Sequence, residues 1–196
     1  MGPLIEIYRN LNLGEYTDKD TTHCYISYLY ENEFARFQNL NISLLEIGIS
    51  NGGSLKLWRE YFKFAKLIQG IDNRPEFLED QFSNLPGVKY LFHDAYDESI
   101  KNKLDNFDII IDDGSHVIDF QLKAIDIYYP LLNKNGIYVI EDIEGTMKNG
   151  RDKMDYFFMK MLFFKKIQKL NFTSFEWLDL RHVKNRPDDT LLVIRK

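Results

Sequence analysis

Two short acidic stretches carry the strongest chemical signal in this chain. Asp112-Asp-Gly-Ser-His116 closes one apolar run, and Glu141-Asp142 closes the next. If the two runs are neighbouring strands, Asp113, Glu141 and Asp142 gather three carboxylates at one place. Unpaired, such groups repel one another and raise one another's pKa. A hard divalent cation relieves the repulsion, and an oxygen-only donor set suits magnesium or manganese. His116 stands beside the cluster, and an imidazole is the side chain suited to taking a hydroxyl proton near neutral pH. Solvated acids, or acids paired with lysine and arginine, are the plainer account of the same residues.

A second constellation lies upstream. Glu46-Ile-Gly-Ile-Ser-Asn-Gly-Gly-Ser54 reads as a strand, a glycine turn and the start of a helix. Gly48 and Gly52 let the backbone turn tightly and approach a ligand closely. The helix start offers unpaired amides to a polar or anionic group. Asp72 ends the next apolar run, where an acid accepts both hydroxyls of a ribose. The spacing Gly48-x-x-x-Gly52 departs from the dinucleotide pattern Gly-x-Gly-x-x-Gly. Asp94 ends a third run and could accept from an adenine amino group. An ordinary tight turn and solvated strand-end acids are the alternatives.

Positioning these groups requires an alternating series of strands and helices, and the pattern supplies one. Strands are expected at Ser43–Ile49, Lys66–Asp72, Val88–Asp94, Phe107–Asp112 and Ile137–Glu141. A closing pair is expected at Phe172–Leu178 and Thr190–Ile194, joined by a polar loop with Pro187. Helices are expected at Thr21–Phe37, Ser54–Phe64, Pro75–Phe82, Asp97–Leu104, Phe120–Leu132 and Asp152–Lys169. In the second of these Leu55, Trp58 and Phe62 share a face. Asn135-Gly136 reads as a helix stop signal. The run Phe107–Asp112 is almost wholly apolar, hence central and buried on both faces. In open α/β sheets the carboxyl ends of the strands bind ligands, and there the acids and glycines fall.

Composition narrows the classes. The chain of 196 residues suits one domain, and 44% apolar residues suffice for a core. A net charge of −5 disfavours binding to a phosphate backbone, so nucleic acid is not an expected partner. The single cysteine, Cys24, excludes a disulfide scaffold and fits a reducing cytoplasm. Residues 1–10 do not read as a signal peptide, and no run approaches the length of a membrane span. The segment Asp152–Lys169 is basic and rich in phenylalanine. Its expected place is in the core or at a dimer contact, with a membrane-surface helix as the other reading. Lys184-Asn-Arg-Pro187 reads as a solvated loop or a contact to an anionic substrate.

The order glycine turn, Asp72, Asp94, Asp112 resembles the motif series of class I S-adenosylmethionine-dependent methyltransferases, over about Leu44 to Lys196. The resemblance implies a Rossmann-like α/β fold: a mostly parallel seven-stranded sheet, a C-terminal antiparallel hairpin and helices on both faces. It makes residues 1–40 a helical extension and 41–196 the S-adenosylmethionine-binding domain. It implies a cofactor role for Glu46, Gly48, Ser50, Gly52, Asp72, Asp94 and Asp112. Asp-Asp-Gly-Ser-His followed by Val-Ile-Glu-Asp is similar to the metal-dependent sugar O-methyltransferases of macrolide tailoring. That resemblance implies Mg2+ or Mn2+ on Asp113, Glu141 and Asp142, with His116 as general base beside Asp113. A stretch like Asp18-Lys-x-x-x-His-x-Tyr25 precedes the core in those relatives, which adds Lys19, His23 and Tyr25 to the cofactor or substrate site. A helix cap at Asp20 or Thr21 is the alternative. The expected acceptor is a small molecule, a sugar or nucleotide-linked sugar, handled in the cytoplasm by a monomer or homodimer. A catechol-type enzyme, an N-methyltransferase and a non-catalytic cofactor-binding subunit remain open.

Overall fold

Short β-branched and apolar runs bounded by glycine, proline and acid become strands here, and the longer amphipathic runs between them become helices. The structure, a computed structural model, describes residues 2–146 and 153–196. Seven strands form a mixed, mostly parallel sheet in the order β3-β2-β1-β4-β5-β7-β6. The chain divides into two compact units, the first ending at His93 and the second running from Asp94 to Lys196. No helix of the described residues is long and apolar enough to cross a membrane.

In the first unit, α1 (Pro3–Asn10) buries Leu4, Ile5 and Tyr8. Its first amides need acceptors from outside the helix. The Glu31 carboxylate serves, accepting from Leu4 N at 3.2 Å and Ile5 N at 3.0 Å. The expected helix Thr21–Phe37 is a shorter composite: a π-turn at Ile26–Tyr30, α2 (Glu31–Glu33) and a 3-10 turn at Ala35–Phe37. Asp20 caps no helix there; its carboxylate accepts from Ser27 N at 3.2 Å and Ser27 Oγ at 2.7 Å. β1 (Ser43–Ile47) leads into α3 (Gly53–Tyr61), then β2 (Leu67–Asp72) and β3 (Val88–Phe92). β1 pairs in parallel with β2, and β2 with β3. β2 is buried throughout, whereas β3, the edge strand, alternates with exposed Lys89 and Phe92. β3 stops at Phe92, so Asp94 sits in the following loop rather than on the strand. The expected helix Pro75–Phe82 is two 3-10 turns, Pro75–Phe77 and Asp80–Phe82. Pro75 fixes a first turn, but too few apolar residues follow at helical spacing to extend it.

In the second unit, a 3-10 helix at Glu98–Lys103 replaces the expected α-helix Asp97–Leu104. β4 (Phe107–Asp112) is buried at every position but Asp108. α4 (Ile118–Tyr128) starts two residues earlier and ends four earlier than expected, because Pro130 follows in a 3-10 turn. β5 (Leu132–Ile140) begins five residues before the expected strand. Asn135-Gly136 therefore lies inside β5, not at a helix stop. Asn135 takes φ 65°, and the parallel register with β4 slips there. A Cβ at Gly136 would lie 2.8 Å from the Asp108 carbonyl oxygen, so this bulge requires glycine. Asp152, the expected start of the next helix, lies outside the described residues. α5 (Tyr156–Ile167) is capped by Asp155, which accepts from Phe158 N at 3.0 Å. β6 (Ser174–Asp179) and β7 (Thr190–Arg195) are antiparallel, and β7 pairs antiparallel with β5. The polar loop between them carries a short turn, α6 (Arg181–Lys184), and Arg186 is held by Asp188 at 2.6 Å.

Candidate active site at the strand ends

The glycine turn after β1 is built by three departures from ordinary backbone at alternate residues. Gly48, Ser50 and Gly52 have φ of 80°, 45° and 93°. Such angles are cheap for glycine and costly for other residues. Asp72, at the end of β2, holds the turn. Its Oδ2 accepts from Ile49 N and Ser50 N, both at 3.1 Å. Its Oδ1 accepts from Arg74 N at 2.9 Å and Arg74 Nε at 3.3 Å. Asp72 is buried, while Ser50 at the tip of the turn is exposed. Gly53 has its own constraint: a Cβ there would lie 2.6 Å from the Tyr16 carbonyl oxygen.

Glu46 is wholly buried on β1. Ser54 Oγ and Trp58 Nε1 donate to its Oε2 at 2.7 and 3.0 Å, and Lys19 Nζ lies 3.4 Å from its Oε1. Lys19 is equally buried. The pair replaces lost hydration by mutual attraction and hydrogen bonds. His23 is buried too, its Nε2 3.3 Å from Asp18 Oδ2 and its ring stacked on buried Tyr25 at 4.7 Å. Burial raises the Asp18 pKa, but the His23 hydrogen bond and the Lys19 charge outweigh it and hold the carboxyl down at about 2. The structure thus buries Lys19, Glu46, His23 and Tyr25.

In the second unit Asp94 is exposed, and its Oδ1 accepts from Tyr96 N at 2.8 Å. Asp112 is buried at the end of β4, near Tyr138 Oη at 3.5 Å and Gly114 N at 3.4 Å. Burial, with the charge of Asp113 beside it, pushes its carboxyl up to about 7 despite those two hydrogen bonds.

The chain then turns outward. Asp113, His116 and Asp142 each bring one donor atom within 4.8 Å of the others. His116 Nε2 lies 3.8 Å from Asp142 Oδ2. The other ring nitrogen, Nδ1, is buried with no hydrogen-bond partner among the described residues. Asp142 has φ 51°, a left-handed conformation that re-aims its side chain just past β5. Glu141 is buried beside it; its amide donates to Asp112 O at 2.9 Å, and its carbonyl accepts from Gln121 Nε2 at 2.9 Å. Two carboxylates at this separation can hold a divalent cation between them, with the imidazole beside it. His116, rather than Glu141, is the third member of the group found.

Several supporting residues escaped sequence reasoning. Tyr96 Oη accepts from Ser115 N at 2.6 Å and its ring stacks on Phe120, fixing the loop between Asp113 and His116. Gln121 had a readable signal, a lone amide on the buried face of α4. Ser54 and Trp58 lie four apart on α3, so both face Glu46. Arg74 gave no signal.

Strand order and the antiparallel closing pair define the class: this is the class I methyltransferase fold. A solved structure of MycE methyltransferase from the mycinamycin biosynthetic pathway, in complex with Mg, SAH and mycinamycin VI, matches it at TM-score 0.75 and 20% identity, over 100% of this chain and 54% of that one. By sequence, the chain is 38% identical over 125 residues to the 8-demethyl-8-(2-methoxy-alpha-L-rhamnosyl)-tetracenomycin-C 3'-O-methyltransferase of Streptomyces olivaceus, covering 59% of this chain and 31% of the relative. It is 31% identical over 147 residues to the 8-demethyl-8-alpha-L-rhamnosyl tetracenomycin-C 2'-O-methyltransferase of the same organism, covering 69% and 37%. The chain therefore spans about a third of the length of the curated relatives it matches. No protein-family model matches it.

Proposed function

We propose that this chain is an S-adenosylmethionine-dependent O-methyltransferase acting on a hydroxyl of a sugar or nucleotide-linked sugar with the help of a divalent cation. Residues 41–196 form the cofactor-binding domain, and residues 1–40 are its helical extension. The observation that carries the reading is the approach of Asp113, His116 and Asp142 to within 4.8 Å of one another. The fold and the named activities of the sequence relatives support it. So does the glycine turn held by Asp72, whose tip at Ser50 is exposed.

When bound, S-adenosylmethionine supplies an electrophilic methyl group, and a magnesium or manganese ion supplies positive charge that makes an acceptor hydroxyl more acidic. The rest falls to the chain's own residues. Gly48, Ser50, Gly52 and Asp72 receive the cofactor, with Asp94 offered to its adenine. Asp113 and Asp142 hold the cation, with Glu141 beside them. His116 takes the proton from the acceptor hydroxyl, and the surrounding side chains fix the acceptor in line.

Purified chain is incubated with S-adenosylmethionine, magnesium and a panel of free, nucleotide-linked and aglycone-linked sugars, and methylated product is read by mass spectrometry. A methyl ether and S-adenosylhomocysteine are expected, with turnover lost in chelator and restored by magnesium or manganese. Turnover undiminished after exhaustive chelation would remove the cation. Methylation confined to aromatic diols or amines would remove the sugar.

A further inference from the structure

The second unit carries a surface that methyl transfer does not use. The inner side of α5 packs Met159, Phe163 and Ile167 into the core. Its outer side leaves Phe157, Phe158 and Met161 exposed by 77%, 47% and 46%. Phe157, Met161, Phe164 and Lys165 line an open groove of about 480 Å³. The aromatic surface continues onto the edge strand β6, with Phe164 against Phe175 at 5.1 Å and Phe172 against Phe175 at 5.5 Å. Isolated apolar side chains on a surface are ordinary, but a contiguous patch marks an interaction site.

Charge identifies the partner. From Tyr156 to Phe175 the sequence holds four lysines and no acid, in a chain whose net charge is −5; one of the four, Lys166, is paired with Asp126. Lys165 and Lys169 are exposed, and Lys160 lies over the Phe164 ring. We propose that this face docks on a lipid bilayer carrying anionic headgroups. The phenylalanine and methionine tips suit the boundary between headgroups and acyl chains, and the lysines suit the lipid phosphates. A two-fold pairing with a second copy would instead bring the same lysines together and strip them of water. The net negative charge of the chain disfavours its approach to such a bilayer by other faces, so this patch sets the docking orientation. The proposal is independent of the methyltransferase reading. It makes acceptors at a membrane surface accessible, and it involves no span.

Vesicle co-sedimentation tests it on the full chain. Phosphatidylcholine vesicles are compared with vesicles containing about 30% phosphatidylglycerol at low salt. Binding to the anionic vesicles alone is expected, weakening as salt screens the lysines. Phe157→Ser with Met161→Ser, and separately Lys165→Glu with Lys169→Glu, should each lower vesicle affinity about tenfold or more at unchanged thermal midpoint. All four side chains are exposed, so the fold does not depend on them. No binding at low salt, or binding indifferent to both pairs, overturns the proposal. So does a concentration-dependent dimer that the serine pair dissociates in the absence of vesicle binding; that result would assign the face to a second copy.

Discussion

The polar cluster around Asp72 and Glu46 and the polar cluster around His116 are built differently. In the first, Asp72 accepts four hydrogen bonds, and Glu46 is matched by Lys19, Ser54 and Trp58. These groups hold a strained turn in shape before any ligand arrives. In the second, two carboxylates and an imidazole crowd within 4.8 Å, one of them on a left-handed backbone, and a buried ring nitrogen has no hydrogen-bond partner among the described residues. On the proposed function, the turn around Asp72 is preorganised and the cluster around His116 carries the chemistry.

The largest expected effect follows from that assignment. His116→Ala should cut turnover by about 10²–10⁴-fold while leaving affinity for S-adenosylhomocysteine and the thermal midpoint near those of the parent. Turnover and midpoint are measured on the same preparation. A variant that melts early but turns over normally per folded molecule would make His116 a loop-holding residue and erase the contrast.

Next comes the buried pair of the first unit. Lys19→Met leaves Glu46 without its cation in a place water does not reach, and should cost about 3–5 kcal/mol of folding stability in urea titrations. Adding Glu46→Gln should recover part of the loss, because the stranded charge is then gone. A cost under about 1 kcal/mol would mean that solvent reaches the pair, and that the first unit is not prebuilt as described.

Lys19 also marks where sequence reasoning stops. The periodic runs were legible: β4 and the antiparallel pair fall within two residues of expectation. So was the ordering of acids and glycines at strand ends, because each is a local signal. Direction was not legible. Lys19, His23 and Tyr25 were read as lining the cofactor or substrate site; their burial, which depends on what packs around them, carried no local signal. Asn135-Gly136 has the turn chemistry of a helix end, but the same left-handed angle also makes a strand bulge. The 3-10 turns at residues 75–82 and 98–103 were read as helices from spacing alone, where too few apolar contacts exist to sustain a full α-helix.

Asp72 discriminates between holding the turn and binding the cofactor. Asp72→Ala removes a charged acceptor, so affinity for S-adenosylhomocysteine should weaken by about 1.5–3 kcal/mol, read by calorimetry. Asp72→Asn keeps one acceptor oxygen and should lose less. If both variants lose folding stability while affinity stays unchanged, Asp72 belongs to the scaffold alone, and the ribose must be bound elsewhere.

The smallest effect concerns Asp18, at the edge of the same prebuilt region. Its carboxyl titrates near 2, below the ordinary 3.8, because the His23 hydrogen bond and Lys19 charge overcome the opposing effect of burial. A depressed carboxyl stabilises the fold above its unfolded pKa, and the contribution vanishes as pH falls through the folded value. Asp18→Asn should therefore be less stable than the parent above 3.8, with the gap closing as pH drops toward 2. The Asp18 side chain is 55% exposed, so solvent screening keeps the gap below about 1 kcal/mol. Urea midpoints of parent and variant at matched pH values measure it. A gap that widens on acidification would reverse the sign and show that the Asp18–His23 contact does not hold the carboxyl ionised. That contact would then not belong to the prebuilt region around the turn.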